Sequence, residues 1–187
     1  MKMLKVITLA GALVLSSHAS AEKLAGVEVA DSVQIGDTRL VLNGAGIRSK
    51  FVFDIYVISL YLPQASDDAQ ALLASPPQNR VSMHFVYDKV EKDKLDEAWA
   101  EGFEDNLSSD QLKALESRLS AFSDMFGDAV ENDVVNLDYD PASGTKVTIN
   151  GVDKGTVEGA DFNSALLSIW IGNDPITRKL KTNLLGG

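Results

Sequence analysis

Apolar and polar positions along this chain fall into blocks whose periods separate strands from helices. Val27-Glu28-Val29 reads as a short strand, and Ile35-Gly36-Asp37 turns into a second, Thr38-Arg39-Leu40-Val41-Leu42. In the next segment, Leu42 to Arg48, the glycines at 44 and 46 require close backbone approach or positive φ, so a bend or pinch is expected. Phe51 to Leu62 is apolar on both parities, the pattern of a strand covered on both faces, and Pro63 stops it. Arg80 to Tyr87 alternates instead: Val81, Met83, Phe85 and Tyr87 share one face, with Ser82 and His84 on the other.

Helical periods occupy the rest. Asp67 to Ala74 is a short Asp-capped candidate closed by Pro76-Pro77. Over 91–107, Leu95, Trp99, Phe103 and Leu107 recur every four residues. Ser108-Ser109-Asp110 caps a second helix carrying Leu112, Leu115, Leu119, Phe122 and Phe126. Strands return over 133–158, where Asn150-Gly151 is a strong hairpin signal. Asp161 is expected to cap a helix presenting Phe162, Ala165, Leu166, Ile169 and Trp170, with Gly172 at its C′ position. Asp174-Pro175 then opens a final helix with Ile176, Leu180 and Leu184. Strands, helices, strands and helices joined by hairpin signals indicate one α+β domain, a largely antiparallel sheet covered on one face by helices.

The N-terminus changes the compartment. Lys2 and Lys5, the apolar run Val6 to Leu15 and Ala19-Ser20-Ala21 form a bacterial-type signal peptide over residues 1–21, too short to span a bilayer. Cleavage after Ala21 leaves a domain over 22–187 of 166 residues, and the periplasm is the expected destination. No cysteine is present, so neither a thioether-linked lipid anchor nor a disulfide framework is expected, and stability rests on an ordinary core. Without Lys2 and Lys5, 15 basic side chains face 27 acidic ones, a formal charge of −12. That balance argues against nucleic acid and anionic membrane surfaces as partners.

Chemistry is correspondingly narrow. His84 is the only histidine beyond the leader, which removes thiol nucleophiles and Cys/His zinc sites and leaves one candidate base for a triad. It reads as a half-exposed sheet residue. Asn136-x-Asp138-x-Asp140 interleaves with Val135, Leu137 and Tyr139, so it reads as a solvated strand face rather than a calcium loop. Gly44-Ala45-Gly46 lacks the Lys-Ser/Thr of a phosphate loop, and no cofactor is expected. Arg48 stands out. A guanidinium cannot lose its charge, so among apolar neighbours it needs an anionic partner, either a ligand or an acid such as Asp54.

The segment Gly44-Ala45-Gly46-Ile47-Arg48, followed by Asp54-Ile55-Tyr56 and Leu60-Tyr61-Leu62, resembles the chalcone isomerase-like superfamily, whose members carry G-x-G-x-R before a strand with a tyrosine element. Ala165 to Pro175 and the leucine-bearing helix after it resemble that family's C-terminal pattern, so the likeness spans the mature chain. It implies an open-faced β-sandwich: a long antiparallel sheet, a helical layer and a cleft between them. In the plant enzymes the arginine matching Arg48 polarises the substrate. In the fatty-acid-binding branch, an arginine and a tyrosine matching Arg48 and Tyr56 hold a carboxylate.

Two departures bear on function. The enzymes' catalytic tyrosine aligns near Val90 to Leu95, where this chain has none; Tyr87, read as part of the preceding strand, is nearest. On one straight strand Arg48 and Tyr56 would also be about 26 Å apart at roughly 3.3 Å per residue, so they share a ligand only if the chain turns, most simply at Ser49-Lys50. The leading expectation is therefore a non-catalytic binder of a fatty acid or similar amphipathic carboxylate, without a stable membrane anchor, metal or catalytic residue. Arg48 and Tyr56 are its ligand-binding residues. The alternatives are a chalcone isomerase-type intramolecular lyase using Arg48 as electrophile, and a protein-interaction domain in which Arg48 pairs with Asp54 and the cleft is closed.

Overall fold

The computed structural model describes residues 22–187; the expected signal peptide lies outside the described residues. The first half of the chain runs β1 (Glu22–Leu24), β2 (Val27–Val29), β3 (Ser32–Ile35), β4 (Thr38–Lys50), β5 (Phe53–Leu62), α1 (Ala69–Ala74), β6 (Asn79–Phe85) and β7 (Lys89–Val90). It continues through α2 (Lys92–Glu104), α3 (Ser109–Ser123), β8 (Ala129–Val130), β9 (Val134–Asp140), β10 (Gly144–Ile149), β11 (Val152–Val157), α4 (Ala160–Ile171) and α5 (Arg178–Leu184). Seven strands form one curled antiparallel sheet in the order β11-β10-β9-β6-β5-β4-β3, while β1–β2 and β7–β8 are small separate ribbons. This is the α+β sheet-and-helix architecture that the residue pattern predicts.

The core lies between the sheet and the helices. Tyr56, Ile58 and Leu60 of β5 join Val81, Met83 and Phe85 of β6, Leu137 of β9 and Val147 of β10 beneath the helical layer. β5 is also buried on its opposite parity, at Val57, Ser59 and Tyr61, as its two-sided apolar pattern requires. α4 is buried around most of its circumference, from Phe162 to Ile171, because α1 and α2 cover the side that the sheet does not. The α2 stripe meets it there: Trp99 sets its ring edge-on to Trp170 at 6.0 Å and packs against Phe122 of α3 at 5.1 Å.

The glycine segment takes the second of its two expected forms, close approach rather than a bend. Gly44 and Gly46 do not bend the chain; they sit inside β4, a strand of 13 residues that runs through them to Lys50. Their role is close approach. A Cβ on Gly44 would overlap the Asn183 carbonyl oxygen, and one on Gly46 would lie 2.6 Å from Leu180 Cδ1, so α5 can rest directly on the strand. The irregularity is a bulge at Asn43, where the register steps from Leu42↔Tyr61 to Gly44↔Leu60. Asn43 Nδ2 donates to the carbonyls of Leu184 (2.7 Å) and Ser66 (2.9 Å), and its Oδ1 accepts from the Ser66 amide (2.7 Å). The amide thereby ties the end of α5 to the strand pair beneath it.

Helix termini need three corrections. Gly159, not Asp161, is the N-cap of α4; Asp161 lies in its first turn and takes both guanidinium nitrogens of Arg118 at 2.7 Å, which holds its carboxyl below the usual range. Gly172 caps α4 with φ −69 and ψ −169, extended rather than left-handed. The last helix starts at Arg178, because the Thr177 hydroxyl accepts from the Leu180 amide at 3.1 Å; Asp174-Pro175-Ile176 is a connector. At the other end of the sheet, Asp138 is engaged by Arg80 across β6–β9, with Nη2 to Oδ2 at 2.6 Å.

Candidate functional site

Arg48 and Tyr56 are brought together by the β4–β5 hairpin. The chain reverses at Phe51-Val52, two residues beyond the expected position, and Lys50 pairs with Phe53. Arg48 is thus the direct cross-strand partner of Tyr56, with a second register step between Arg48 and Ser49. Directly opposed residues project from the same sheet face with Cβ atoms about 5 Å apart, so the two side chains reach one place. The reversal also corrects the strand's start: Phe51, Val52 and Phe53 are 92%, 87% and 52% exposed, where the apolar run predicted a covered strand.

The place they reach is a cleft of about 760 Å³ between the end of this hairpin, α2 and the α4–α5 connection. Leu95, Ala98 and Gly102 of α2 form one wall, Val90 and Ile55 the base near the hairpin, and Pro175 with Ile176 the far side. Phe51, Phe53 and Tyr87 stand at the mouth. Tyr87 lies past the end of β6, and its ring meets Phe53 edge-on at 5.5 Å, so it belongs to the cleft rather than to the strand. The size is that of a small-molecule pocket, and its apolar wall is edged by charges of both signs, with Glu91, Glu101, Asp105 and Asp174 lining it as well as Arg48, Lys50, Lys89 and Lys94.

The charges around the cleft differ in how they are committed. Lys89 pairs with Asp128 at 2.8 Å and Lys94 with Glu97 at 2.6 Å. No ion pair among the described residues involves Arg48 or Lys50. Arg48 Nη1 donates only to the neighbouring Ser49 carbonyl, and Asp54, the acid that could have neutralised it, accepts from the Ser49 hydroxyl at 2.7 Å instead. Most of the five guanidinium N–H donors therefore have no partner among the described residues, and Arg48 lines the cleft.

Tyr56 is buried, and its hydroxyl accepts a hydrogen bond from Trp170 Nε1 at 3.2 Å. Burial pushes the phenol above its ordinary range, against smaller opposite effects of the Trp170 hydrogen bond and the Arg48 charge. Tyr56 consequently stays protonated, with one oxygen lone pair occupied by the indole and its own proton available as a donor. Trp170 is the site residue that pattern reading missed, since its place in an apolar helical stripe accounts for it as core. Its indole N–H, a donor that must find an acceptor when buried, was the available signal. His84 alternates out of the Val81-Met83-Phe85 face and does not line the cleft.

A second groove of about 790 Å³ lies between α1, α3 and α4. It is lined by Gln111, Ser164, Ser168 and Asp161 as well as apolar residues, and the one charged group there, Asp161, is already paired with Arg118. The cleft with Arg48 is the better candidate because it holds an uncommitted cation beside an apolar wall.

Comparison with known proteins bears on the fold and the family. No curated protein matches the chain. Among solved structures, it is similar to a fatty-acid binding protein of Arabidopsis thaliana with a TM-score of 0.68 at 20% identity, covering 88% of this chain and 94% of that one. At that identity the likeness establishes the fold. The family model described as chalcone isomerase-like matches residues 21–186, which is nearly the whole of the described structure; with its curled antiparallel sheet, helical layer and arginine-bearing hairpin, the chain belongs to the chalcone isomerase-like family.

Proposed function

We propose that this protein is a non-catalytic, exported binder of a fatty acid or similar amphipathic carboxylate. The carrying observation is the pairing of Arg48 with Tyr56 in one cleft, the guanidinium without a carboxylate partner among the described residues. A carboxylate between them takes charge-assisted hydrogen bonds from Arg48 and one from the Tyr56 hydroxyl, which Trp170 orients by occupying its lone pair. The wall of Leu95, Ala98 and Ile176 takes the hydrocarbon tail. The Arabidopsis protein, described as fatty-acid binding, supports the ligand class. The leader over residues 1–21 supports export to the periplasm, which a mature N-terminus at Glu22 in a periplasmic extract checks.

The test is titration of long-chain fatty acids into the delipidated protein. Loss of a charge-assisted pair is worth about 2–3 kcal/mol, so Arg48→Ala weakens binding about 30- to 150-fold. Tyr56→Phe removes one neutral donor and weakens it about fivefold, from ~1 kcal/mol. Native mass spectrometry of protein purified without detergent identifies the resident ligand. No co-purifying lipid, together with unchanged titrations for Arg48→Ala, rejects the reading.

One observation favours a second reading. Tyr87 lines the mouth of the same cleft and supplies the phenol that the alignment near Val90 to Leu95 lacks. An intramolecular lyase would use Arg48 to stabilise a developing enolate and Tyr87 to handle the proton. Tyr56 is unsuited to that task because burial holds it protonated. Chalcone turnover that disappears in both Arg48→Gln and Tyr87→Phe would establish this reading over the first.

A further inference from the structure

The tip of the β4–β5 hairpin breaks the rules that the rest of the surface keeps. Its two-residue turn has positive φ at Phe51 (57°) and not at Val52, the arrangement in which glycine is favoured at the first position. A phenylalanine sits there, followed by a valine, and both point into solvent with 92% and 87% exposure. Neither side chain packs into the core. Residues that cost backbone strain and expose apolar surface are found where an outside contact compensates.

Three features identify that contact. First, the patch is a narrow convex tip. At roughly 150–250 Å² per aromatic side chain, the exposed parts of Phe51 and Phe53 supply about 200–350 Å², and with Val52 the patch stays well short of the ~800 Å² per partner of a stable protein interface. Second, Lys50 adjoins the tip with no ion pair among the described residues, so a cation lies just behind apolar side chains. Apolar and aromatic residues below a basic one is the order that suits acyl chains beneath lipid phosphates. Third, Phe51 and Phe53 also line the cleft, so the patch is continuous with its mouth.

We infer that the Phe51-Val52-Phe53 tip inserts reversibly into the surface of a phospholipid bilayer and docks the cleft mouth on it. Apolar insertion drives the contact, since the net acidic charge of the whole chain opposes an anionic surface; Lys50 offsets that repulsion locally. The contact is transient. It involves three side chains, and no helix among the described residues is long and apolar enough to cross a membrane.

Co-sedimentation of the mature protein with large vesicles of phosphatidylcholine, alone or mixed with phosphatidylglycerol, tests this. The wild type partitions onto both. Phe51→Gly/Val52→Ser lowers the partition coefficient at least about tenfold, as removal of even one inserted apolar side chain implies. Glycine suits the turn, so the loss cannot be ascribed to unfolding. Lys50→Glu lowers binding more on the mixed vesicles than on phosphatidylcholine alone. Tyr56→Phe, which weakens fatty-acid binding in the reading above, leaves partition unchanged, so the two ideas fail separately. The inference is overturned if the wild type binds neither vesicle, or if the Phe51→Gly/Val52→Ser variant binds as well as the wild type. It is also overturned if the tip mediates a concentration-dependent dimer in sedimentation velocity and no vesicle binding is seen.

Discussion

Among the hairpins of this sheet that close with two residues, β10–β11 and β4–β5 are built on opposite logic. Between β10 and β11, Asn150 and Gly151 have φ of 52° and 76°, a turn their residue types adopt at little cost. Asn150 also works locally: its Oδ1 accepts from the Val134 amide at 2.8 Å and its Nδ2 donates to Asp133 at 2.7 Å. Between β4 and β5, Phe51 and Val52 have none of this chemistry. That turn exists because the strands behind it are long and anchored, β5 by burial on both parities from Tyr56 to Leu62 and β4 by α5 lying against its glycines. A hairpin held by its roots leaves its tip free for another use. One held by its tip does not.

The comparison can be broken at several points. The largest effect is expected at the root: Gly44→Val drives two methyl groups into the backbone of Asn183 and Leu184 and destabilises the fold by about 3 kcal/mol or more. Chemical denaturation measures it, and a loss under 1 kcal/mol would mean that α5 is not the anchor. Next comes the locally closed turn. Gly151→Ala places a Cβ at φ 76° and costs about 1–2 kcal/mol, read the same way. Phe51→Gly has the opposite sign. It relieves a left-handed phenylalanine but adds chain entropy, for a net gain of about 0.5–1 kcal/mol and a melting temperature about 2–4 °C higher per kcal/mol. Destabilisation by this change would show that the tip is held by its own contacts.

The smallest effect on stability is expected at Arg48. With no ion pair among the described residues, Arg48→Ala shifts stability within about 0.5 kcal/mol while abolishing most ligand affinity. Arg80, two strands away, provides the control. Its fork is taken by both carboxylate oxygens of Asp138, so Arg80→Ala costs stability and leaves ligand titration unchanged. Equal effects of the two substitutions on stability would remove the distinction between a structural and a ligand-facing arginine.

Patterns of short period were readable in the chain. The alternation of Val81, Met83 and Phe85, the four-residue spacing of Leu95, Trp99 and Phe103 and the Asn150-Gly151 turn each express a conformational preference carried by neighbouring residues, and each appears as expected. The arginine was readable too, since a permanent charge among apolar residues is conspicuous wherever it folds. The helix starts were less so. Asp161 has the right side chain for a cap, but Arg118, 43 positions away, claims it.

What only the tertiary structure decided concerns pairs distant in sequence or residues whose neighbours come from elsewhere. The glycines at 44 and 46 signalled either a bend or a close approach; the arrival of α5, about 140 residues on, makes it the latter. Phe51 to Phe53 carry the apolar signature of a covered strand, and the turn that exposes them has no local signal because long-range packing imposes it. Arg48 and Tyr56, eight positions apart, were too far apart to share a ligand on one strand and are adjacent across two. Trp170 reads as core and is core, yet its indole N–H sets the Tyr56 hydroxyl. By itself the sequence determined the main elements, the family resemblance and the place of a permanent charge, because these depend on residue type and near neighbours. That Asp54 turns to Ser49 and leaves Arg48 without an ion pair among the described residues was decided by the fold. The cleft around that charge depends on which surfaces meet, and only the packed chain decides that.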